Sequence, residues 1–333
     1  MEIFAPEYYD RFRCLGGACP DSCCKEWAVD VDDASAEFYL GLPGALGDDL
    51  RSVLRREKDA YVMILNNNRC PMWREDGLCR IQAELGHDAL CQVCRDFPRL
   101  RHDYGSFTEL GLELSCPEAA RLIFEDSAHR MVISSVPGGE MPDYDSVTMD
   151  ILRKSREVVL QFLDEGSYSL AETLAVILLY GHRVQAQIDG GEEAVFSPEN
   201  ALRSAKSIAA PANWESLFAF FRELEILTPQ WRRLLENAPA SSGISEGVRP
   251  LARYVIQRYW LQAVSDGDLI GRIKLILSAC LLVSALGGEP VQTAQLFSKE
   301  IENDPDNVDR ILDGAYTEPA FTDTHLLGLL FGR

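Results

Sequence analysis

The uneven distribution of cysteine is the feature that most constrains this chain. Nine of the ten cysteines lie in the first 116 residues, and only Cys280 lies beyond them. The nine are Cys14, Cys19, Cys23, Cys24, Cys70, Cys79, Cys91, Cys94 and Cys116. Thiols at this density form a disulfide scaffold, hold a structural metal ion, or serve a redox or iron–sulfur site.

The length and the start of the chain favour metal ligands over disulfides. A chain of 333 residues can bury a hydrophobic core without covalent cross-links. The first seven residues have neither the basic nor the apolar segment of a signal peptide, so we expect a cytoplasmic protein. Because the cytoplasm keeps thiols reduced, we expect the clustered cysteines to bind metal.

Spacing separates the cysteines into groups. The first four, between residues 14 and 24, are the leading set of ligands, and the later five complete or support it. Nine sulfurs exceed one site of four thiolates. Two structural zinc ions would use eight of them, whereas one 4Fe-4S cluster would use three or four. Spacing alone favours zinc modestly.

Composition argues against several partners. The formal net charge is -20, and phosphate binding needs a cationic surface, so no nucleic acid is expected. An acidic surface suits a lysine-bearing protein substrate, although it also serves solubility alone. The longest apolar run, residues 275–286, predicts a buried core helix without membrane insertion. The glycine pairs lack the third glycine of a nucleotide-binding loop, so no Rossmann-type site is expected.

The pattern of the chain changes near residue 134. Breaker residues between Ser134 and Asp145 predict a domain boundary. Residues 1–133 are predicted to form a loop-rich cysteine module, with few short strands, that binds a metal ion or an iron–sulfur cluster. Residues 134–333 show helical periodicity and predict an α-helical domain. The expected fold class is therefore mainly α.

Local patterns place the individual elements. In the cysteine module, strands are predicted at residues 27–31 and 61–65, and helices at residues 45–58 and 118–126. Proline in the first turn marks several later helices. The later helices are predicted at residues 147–163, 170–188, 198–208, 214–227, 229–237, 250–263, 268–286, 290–303 and 307–315.

Five segments around the cysteines carry a specific pattern. They are Phe12–Trp27, Cys70–Trp73, Gly77–Gly86, Leu90–Arg99 and Leu114–Glu118. In these segments the chain resembles the flagellin lysine-N-methylase family. A weaker likeness continues at Arg253-Tyr254, at Tyr259-Trp260 and at residues 299–303. The cysteine module is also similar to one that zinc- or iron-chelating proteins share.

The resemblance implies methyl transfer from S-adenosylmethionine to lysine side chains of flagellin, or of another lysine-bearing protein, with a 4Fe-4S cluster. It moves the expected cofactor from zinc to iron–sulfur. Glu300 and Glu302 are candidate bases, and at most one of them faces a given pocket because they are two apart on a helix. Arg99 is a further catalytic candidate that could bind the carboxylate of S-adenosylmethionine. Asn303 departs from the family, in which histidine is more frequent.

The resemblance also makes Trp27, Tyr254 and Tyr259 candidates for a cofactor or peptide site, together with Arg99. The alternative is that these aromatic side chains pack in the core, as large aromatics usually do. Two other functions stay open. One is a zinc-stabilised helical interaction protein without enzymatic activity, and the other is a thiol redox sensor that uses Cys91 and Cys94.

Overall fold

The computed structural model describes residues 1–27, 29–57, 60–126, 130–138, 142–239 and 243–333. Within these ranges α-helices predominate, and the β-strands are short and lie before residue 136. The expected mainly α fold class is confirmed.

A four-stranded sheet brings the start of the chain together with residues near 100 and 130. Its strands are β1 (Glu2–Pro6), β5 (Arg99–Asp103), β6 (Phe107–Leu112) and β7 (Met131–Ser135). They lie in the order β5-β6-β1-β7, with β1 parallel to β6 and antiparallel to β7. Because β6 also buries Phe107 and Leu112, this sheet is anchored to the main hydrophobic core.

A small core is formed by buried side chains between Val29 and Cys91. It contains a three-stranded sheet in the order β2 (Val29–Val31), β4 (Ala60–Met63) and β3 (Leu54–Glu57), which is antiparallel throughout. Asp32 caps the first helix by accepting a 3.0 Å hydrogen bond from the amide of Ser35, and its other oxygen accepts one from Gln92 at 2.8 Å. The elements are β2 (Val29–Val31), α1 (Asp33–Gly41), α2 (Gly44–Val53), β3 (Leu54–Glu57), β4 (Ala60–Met63), α3 (Arg80–Leu85) and α4 (Gln92–Asp96).

The helices after residue 116 build the large core, to which residues 8–12, 107–123 and 149–330 contribute buried side chains. Six of these helices begin at a side-chain N-cap, and the N-cap before Leu170 is the reciprocal capping box of Ser169 and Glu172. The helices are α5 (Pro117–Glu125), α6 (Ser146–Glu165), α7 (Leu170–Ile188), α8 (Pro198–Ile208), α9 (Trp214–Arg222), α10 (Pro229–Glu236), α11 (Arg249–Tyr259), α12 (Leu269–Leu286), α13 (Pro290–Phe297), α14 (Pro305–Thr317) and α15 (Asp323–Phe331).

Helix α12 lies at the centre of the large core. In the described part of the chain it is the one helix that has the length and apolarity to cross a membrane, and 94% of it is buried within the protein. Its buried cations are paired: Arg272 lies 2.9 Å from Asp266, and Lys274 donates to the carbonyl of Ala315 at 2.8 Å. The predicted buried core helix is confirmed.

Several predicted helices end too late. The helix predicted over residues 45–58 stops at Val53, because Leu54–Glu57 pairs with β4, and residue 58 lies outside the described residues. The helix predicted over residues 290–303 changes after Phe297 into the π-helical segment Ser298–Glu302. The helices predicted over residues 214–227 and 250–263 end at Arg222 and Tyr259.

The domain division at residue 134 stays a prediction. Strand β7 runs across that position to Ser135, and Phe107 and Leu112 pack in the same core as the later helices. Residues 139–141 of the predicted boundary segment lie outside the described residues, as does Ala28 of the strand predicted at residues 27–31. The described part of that strand begins at Val29.

Candidate functional site

A cavity of about 390 Å³ lies between the small core and the π-helical segment. Six cysteines line it: Cys23, Cys24, Cys70, Cys79, Cys91 and Cys94. None of the ten cysteines is in a disulfide in this structure. The fold therefore gathers thiols from four separate stretches of sequence around one space.

Helix starts and one backbone contact position these cysteines. Cys79 and Cys91 occupy the N-cap positions of α3 and α4, and Cys94 lies within α4. The amide of Cys70 donates a 2.7 Å hydrogen bond to the carbonyl of Cys24, which joins two of the stretches directly. Backbone structure thus sets where the sulfur atoms can lie.

The thiols influence one another. A hydrogen bond between the thiols of Cys91 and Cys94 lowers the pKa of Cys91 and raises that of Cys94. Burial raises the pKa of Cys70 to about 11. Burial also raises the pKa of Cys79, although the amides of Gln82 and Ile81 oppose the shift. Without a bound cation, the cavity therefore resists holding several thiolates at once.

The remaining predicted cysteine ligands lie outside the cavity lining. Cys14 is exposed, Cys19 is partly buried and Cys116 is buried at the N-cap of α5. Burial raises the pKa of Cys116 to about 12, with a further contribution from Cys19 and Cys23. Cys23, one of the six cysteines that line the cavity, is thus also near enough to Cys116 to influence its pKa.

One part of the cavity wall is acidic. Glu302, Asn303 and Glu113 line it together with the cysteines. The carboxylate of Glu302 accepts hydrogen bonds from Tyr259 at 2.9 Å and from Tyr254 at 3.3 Å. Burial raises the pKa of Glu113, and the nearby charge of Arg258 opposes that shift.

Arg258 connects the two carboxylates of this wall. Its Nε lies 3.3 Å from Glu302 Oε1, and its Nη2 lies 4.0 Å from Glu113 Oε1. It also donates to the Tyr254 hydroxyl at 2.8 Å. The Glu302 carboxylate is thus oriented by a guanidinium and two phenols, while Asn303 Oδ1 is buried without a hydrogen-bond partner among the described residues.

Glu300 has a different environment from Glu302. Its carboxylate accepts the amides of Leu227 and Thr228, at 2.8 and 2.9 Å, where the chain enters α10. Burial raises its pKa, against the effect of these hydrogen bonds. Of the two candidate bases, Glu302 is therefore the one that lines the cavity, whereas Glu300 holds the backbone before α10.

A buried lysine ties the cysteine segment to the π-helical segment. Lys299 is 1% exposed, and its Nζ lies 2.6 Å from Glu26 Oε2 and 3.1 Å from Asp21 Oδ2. Burial opposes ionisation of Asp21, but the ammonium groups of Lys25 and Lys299 outweigh it and lower the pKa of Asp21. We call the contacts of Lys299 with Asp21 and Glu26 the lysine clasp.

Curated relatives match part of the chain. A lysine-N-methylase of Salmonella typhimurium is 33% identical over 139 residues, which are 38% of this chain and 33% of that protein. The flagellar biosynthetic protein FliU of Salmonella muenchen is also 33% identical over 139 residues, which are 79% of its length. The chain belongs to the lysine-N-methylase family. The match spans only about a third of the lysine-N-methylase itself.

No family model and no solved structure matches the chain. The similarity to the lysine-N-methylase family therefore rests on sequence alone, and the arrangement of the site described above has no solved counterpart to compare with. A second lysine-N-methylase, from Salmonella choleraesuis, is 32% identical over the same number of residues.

The residues that the family resemblance singled out are only partly brought together. Trp27 lines the cavity, and its ring centroid lies 5.3 Å from Lys299 Nζ. Tyr254 and Tyr259 support Glu302 from behind and do not line the cavity. Arg99 is exposed on β5, where its guanidinium lies 5.2 Å from the ring centroid of Phe12. Arg99 is not among the residues that line the cavity.

Sequence reasoning missed three residues of the site: Glu113, Arg258 and Lys299. Glu113 lies directly before a segment that resembles the lysine-N-methylase family, and Arg258 lies between Tyr254 and Tyr259. Their positions next to candidate residues could therefore have marked both as candidates. Lys299 belongs to a matching segment, but its partners Asp21 and Glu26 are more than 270 residues away. No local pattern indicates a pairing at that distance.

Proposed function

We propose that this chain is an S-adenosylmethionine-dependent protein-lysine N-methylase that uses a 4Fe-4S cluster and acts on flagellin or another lysine-bearing protein in the cytoplasm. The observation that carries the proposal is the cavity that six cysteines line together with Glu302, Asn303 and Glu113. Metal-ligating sulfur and proton-accepting oxygen are thus available around one space.

The arrangement of the thiols bears on the choice between zinc and iron–sulfur. A zinc ion needs four donors about 2.0–2.3 Å from one point, whereas the six thiols come from four stretches of sequence and are distributed around the lining of the cavity. A cluster distributes its cysteine ligands over several irons. Thiols spread around a cavity therefore suit a cluster better, with ligands drawn from the six cysteines that line it.

When bound, a cluster with one iron not ligated by cysteine would supply a position for the amino and carboxylate groups of S-adenosylmethionine. This would explain a methylase without a glycine-rich nucleotide loop. The residues of the chain would then have to orient the methyl acceptor and remove its proton.

The substrate lysine must lose a proton before its Nζ can attack. Its neutral amine would form the new N–CH₃ bond while the S–CH₃ bond of the sulfonium breaks, and the sulfur leaves as a neutral thioether. We assign the proton to Glu302, because Arg258 and two tyrosine hydroxyls hold its carboxylate on the cavity wall. Glu113, whose pKa burial raises, is placed to share that role.

Metal analysis and methyl transfer test this proposal together. Protein purified without oxygen should contain iron and acid-labile sulfide, and the reconstituted protein should transfer labelled methyl groups to lysines of flagellin, as detected by peptide mass spectrometry. Stoichiometric zinc without iron would replace the cluster with the structural zinc alternative. A fully reconstituted protein that methylates no lysine-bearing protein would refute the activity.

A further inference from the structure

Two segments of the chain separate the cysteine-lined cavity from a second groove. The wall consists of residues 20–27 and the residues from Lys299 to Asn303. Cys23, Cys24 and Trp27, with Glu302 and Asn303, line the cavity on one side. Asp21, Lys25 and Glu26, with Lys299, line a groove of about 750 Å³ on the other. The lysine clasp joins the two halves of this dividing wall.

The groove is lined by exposed amide side chains that can form hydrogen bonds with a peptide chain. Helices α10 and α13 contribute exposed amides, Gln230 and Gln292, and apolar contacts from Val291 and Leu296. In the described part of the chain, neither of these two amides makes a side-chain hydrogen bond. Primary amides carry both donors and acceptors, so they can pair with the main chain of an extended segment.

The charge of the groove is opposite to that of the whole chain. Four cations, Lys25, Arg121, Arg233 and Lys299, and only two carboxylates line it, whereas the net charge of the chain is -20. Three of the cations are paired, including Arg121, which contacts Glu118 at 2.7 Å. Arg233 is exposed and has no carboxylate within 4.0 Å among the described residues. An unpaired guanidinium is therefore available to an acidic ligand.

We infer that this groove binds an acidic, extended segment of the protein substrate, with Arg233 as its specificity-determining cation. The inference rests on the proposed function, because it supplies the docking site of the protein whose lysine enters the cavity. The same two short segments line the cavity and the groove, so a docked segment lies across the dividing wall from the cavity that Glu302 lines. The substrate lysines selected are then those with aspartate or glutamate nearby in sequence.

Peptide binding tests the groove without any methyl transfer. Short fluorescein-labelled peptides with one lysine flanked by acidic, neutral or basic residues are titrated with full-length protein in the absence of S-adenosylmethionine. The acidic peptide should bind most tightly, and Arg233→Glu should weaken its binding about tenfold. Arg232→Glu is the matched control, since Arg232 is the exposed neighbour on α10 that does not line the groove, and it should change binding less than about twofold.

Three outcomes would overturn the inference. They are equal binding of the three peptides, equal weakening by the two substitutions, and displacement of the acidic peptide by an oligonucleotide at lower concentration than by unlabelled peptide. Methyl transfer by the wild-type protein is measured separately on flagellin. If it fails while acidic peptides still bind through Arg233, the proposed activity is wrong and the groove stands. If it succeeds with unchanged KM in Arg233→Glu, the groove is wrong and the activity stands.

Discussion

Leu281 of helix α12 and Cys91 of the small core are both almost fully buried, at 0% and 2% exposure, yet their surroundings differ. Leu281 is enclosed by other apolar side chains of the large core. Cys91 lines a cavity of about 390 Å³ with five other cysteines. In the large core, buried side chains pack against one another and stabilise the fold. In the small core, buried cysteines surround an open cavity.

This difference suggests that the large core stabilises the fold, whereas the small core supports the candidate site. The large core draws its side chains from helices α5 to α15 and from strand β6, so apolar burial there is extensive. The small core spans only residues 29–91, and a core of that size rarely stabilises a fold without a metal or another support. We therefore expect the small core to depend on what its cysteines bind and on its contacts with the large core.

The largest expected effect is a contrast between two cysteine variants, one in the small core and one in the large core. Cys91→Ser should abolish methylation and lower the iron content, because it removes a thiol from the cavity, while thermal unfolding of the helical part changes little. Cys280→Ala should leave the iron content unchanged. It should instead lower the free energy of unfolding by about 1–2 kcal/mol, because Cys280 is fully buried in α12. Calorimetry and metal analysis of both variants check the contrast. Equal loss of iron in the two variants would contradict it.

The next effect compares two glutamates of the π-helical segment. Glu302→Gln should lower kcat by about 10²–10⁴-fold, because a positioned general base is lost. Glu300→Gln should instead lower the free energy of unfolding by about 1–3 kcal/mol, because Glu300 accepts two backbone amides, and it should retain kcat. Steady-state kinetics at several pH values, with urea unfolding, distinguish the two. The assignment of the base to Glu302 is wrong if both variants keep wild-type kcat.

A smaller effect concerns the link between the regions. Lys299→Met should lower the free energy of unfolding by about 2 kcal/mol, less than for a fully buried pair, because the Asp21 and Glu26 side chains keep 21% exposure. The loosened dividing wall should also make Cys23 and Cys24 react faster with maleimide. Lys299→Arg, which keeps the charge, should restore part of both properties. Unchanged thiol reaction rates in Lys299→Met would show that the lysine clasp does not hold the cysteine segment.

The smallest effect is a dependence on pH. Burial, followed by the charge of Arg258, lowers the pKa of His102 below its usual 6.5, and Glu109 opposes this. Below pH 6.5 the unfolded chain takes up a proton that the folded chain resists, so stability falls as the pH falls towards the folded pKa. His102→Gln should reduce the stability difference between pH 7.5 and 5.5 in urea unfolding. His87→Gln, at an exposed position, should leave that difference as in the wild type.

Much of the helical fold could be predicted from the sequence, and the sheets mostly could not. Helices α6 and α7 follow from apolar periodicity, and Pro198, Pro229 and Pro290 lie in the first turns of their helices. Strand β1 pairs with β6 about 105 residues away, and no local pattern determines a partner at that distance. The short strand β3 has three exposed residues of four, so it lacks the alternation that marks a strand.

The thiol content of the candidate site could be predicted from the sequence, and its geometry could not. The density of thiols along the sequence predicts a metal or cluster site, and the two-residue offset of Glu300 and Glu302 predicts that only one of them faces a pocket. Which cysteines share the cavity depends on how residues 14–24 fold back, and Cys14 and Cys19 lie outside its lining. The role of Arg258 depends on helix α11 meeting the π-helical segment, a contact between distant parts of the chain.

The dividing wall also has a consequence for the order of events during synthesis. Its two halves are 278 residues apart in the lysine clasp, and at about 5–20 residues per second a ribosome needs on the order of 15–55 s to make the second half after the first. During that interval the cysteines exist without Lys299 and Glu302. The thiols would therefore be open to loading with the proposed cofactor from the side that the π-helical segment later closes.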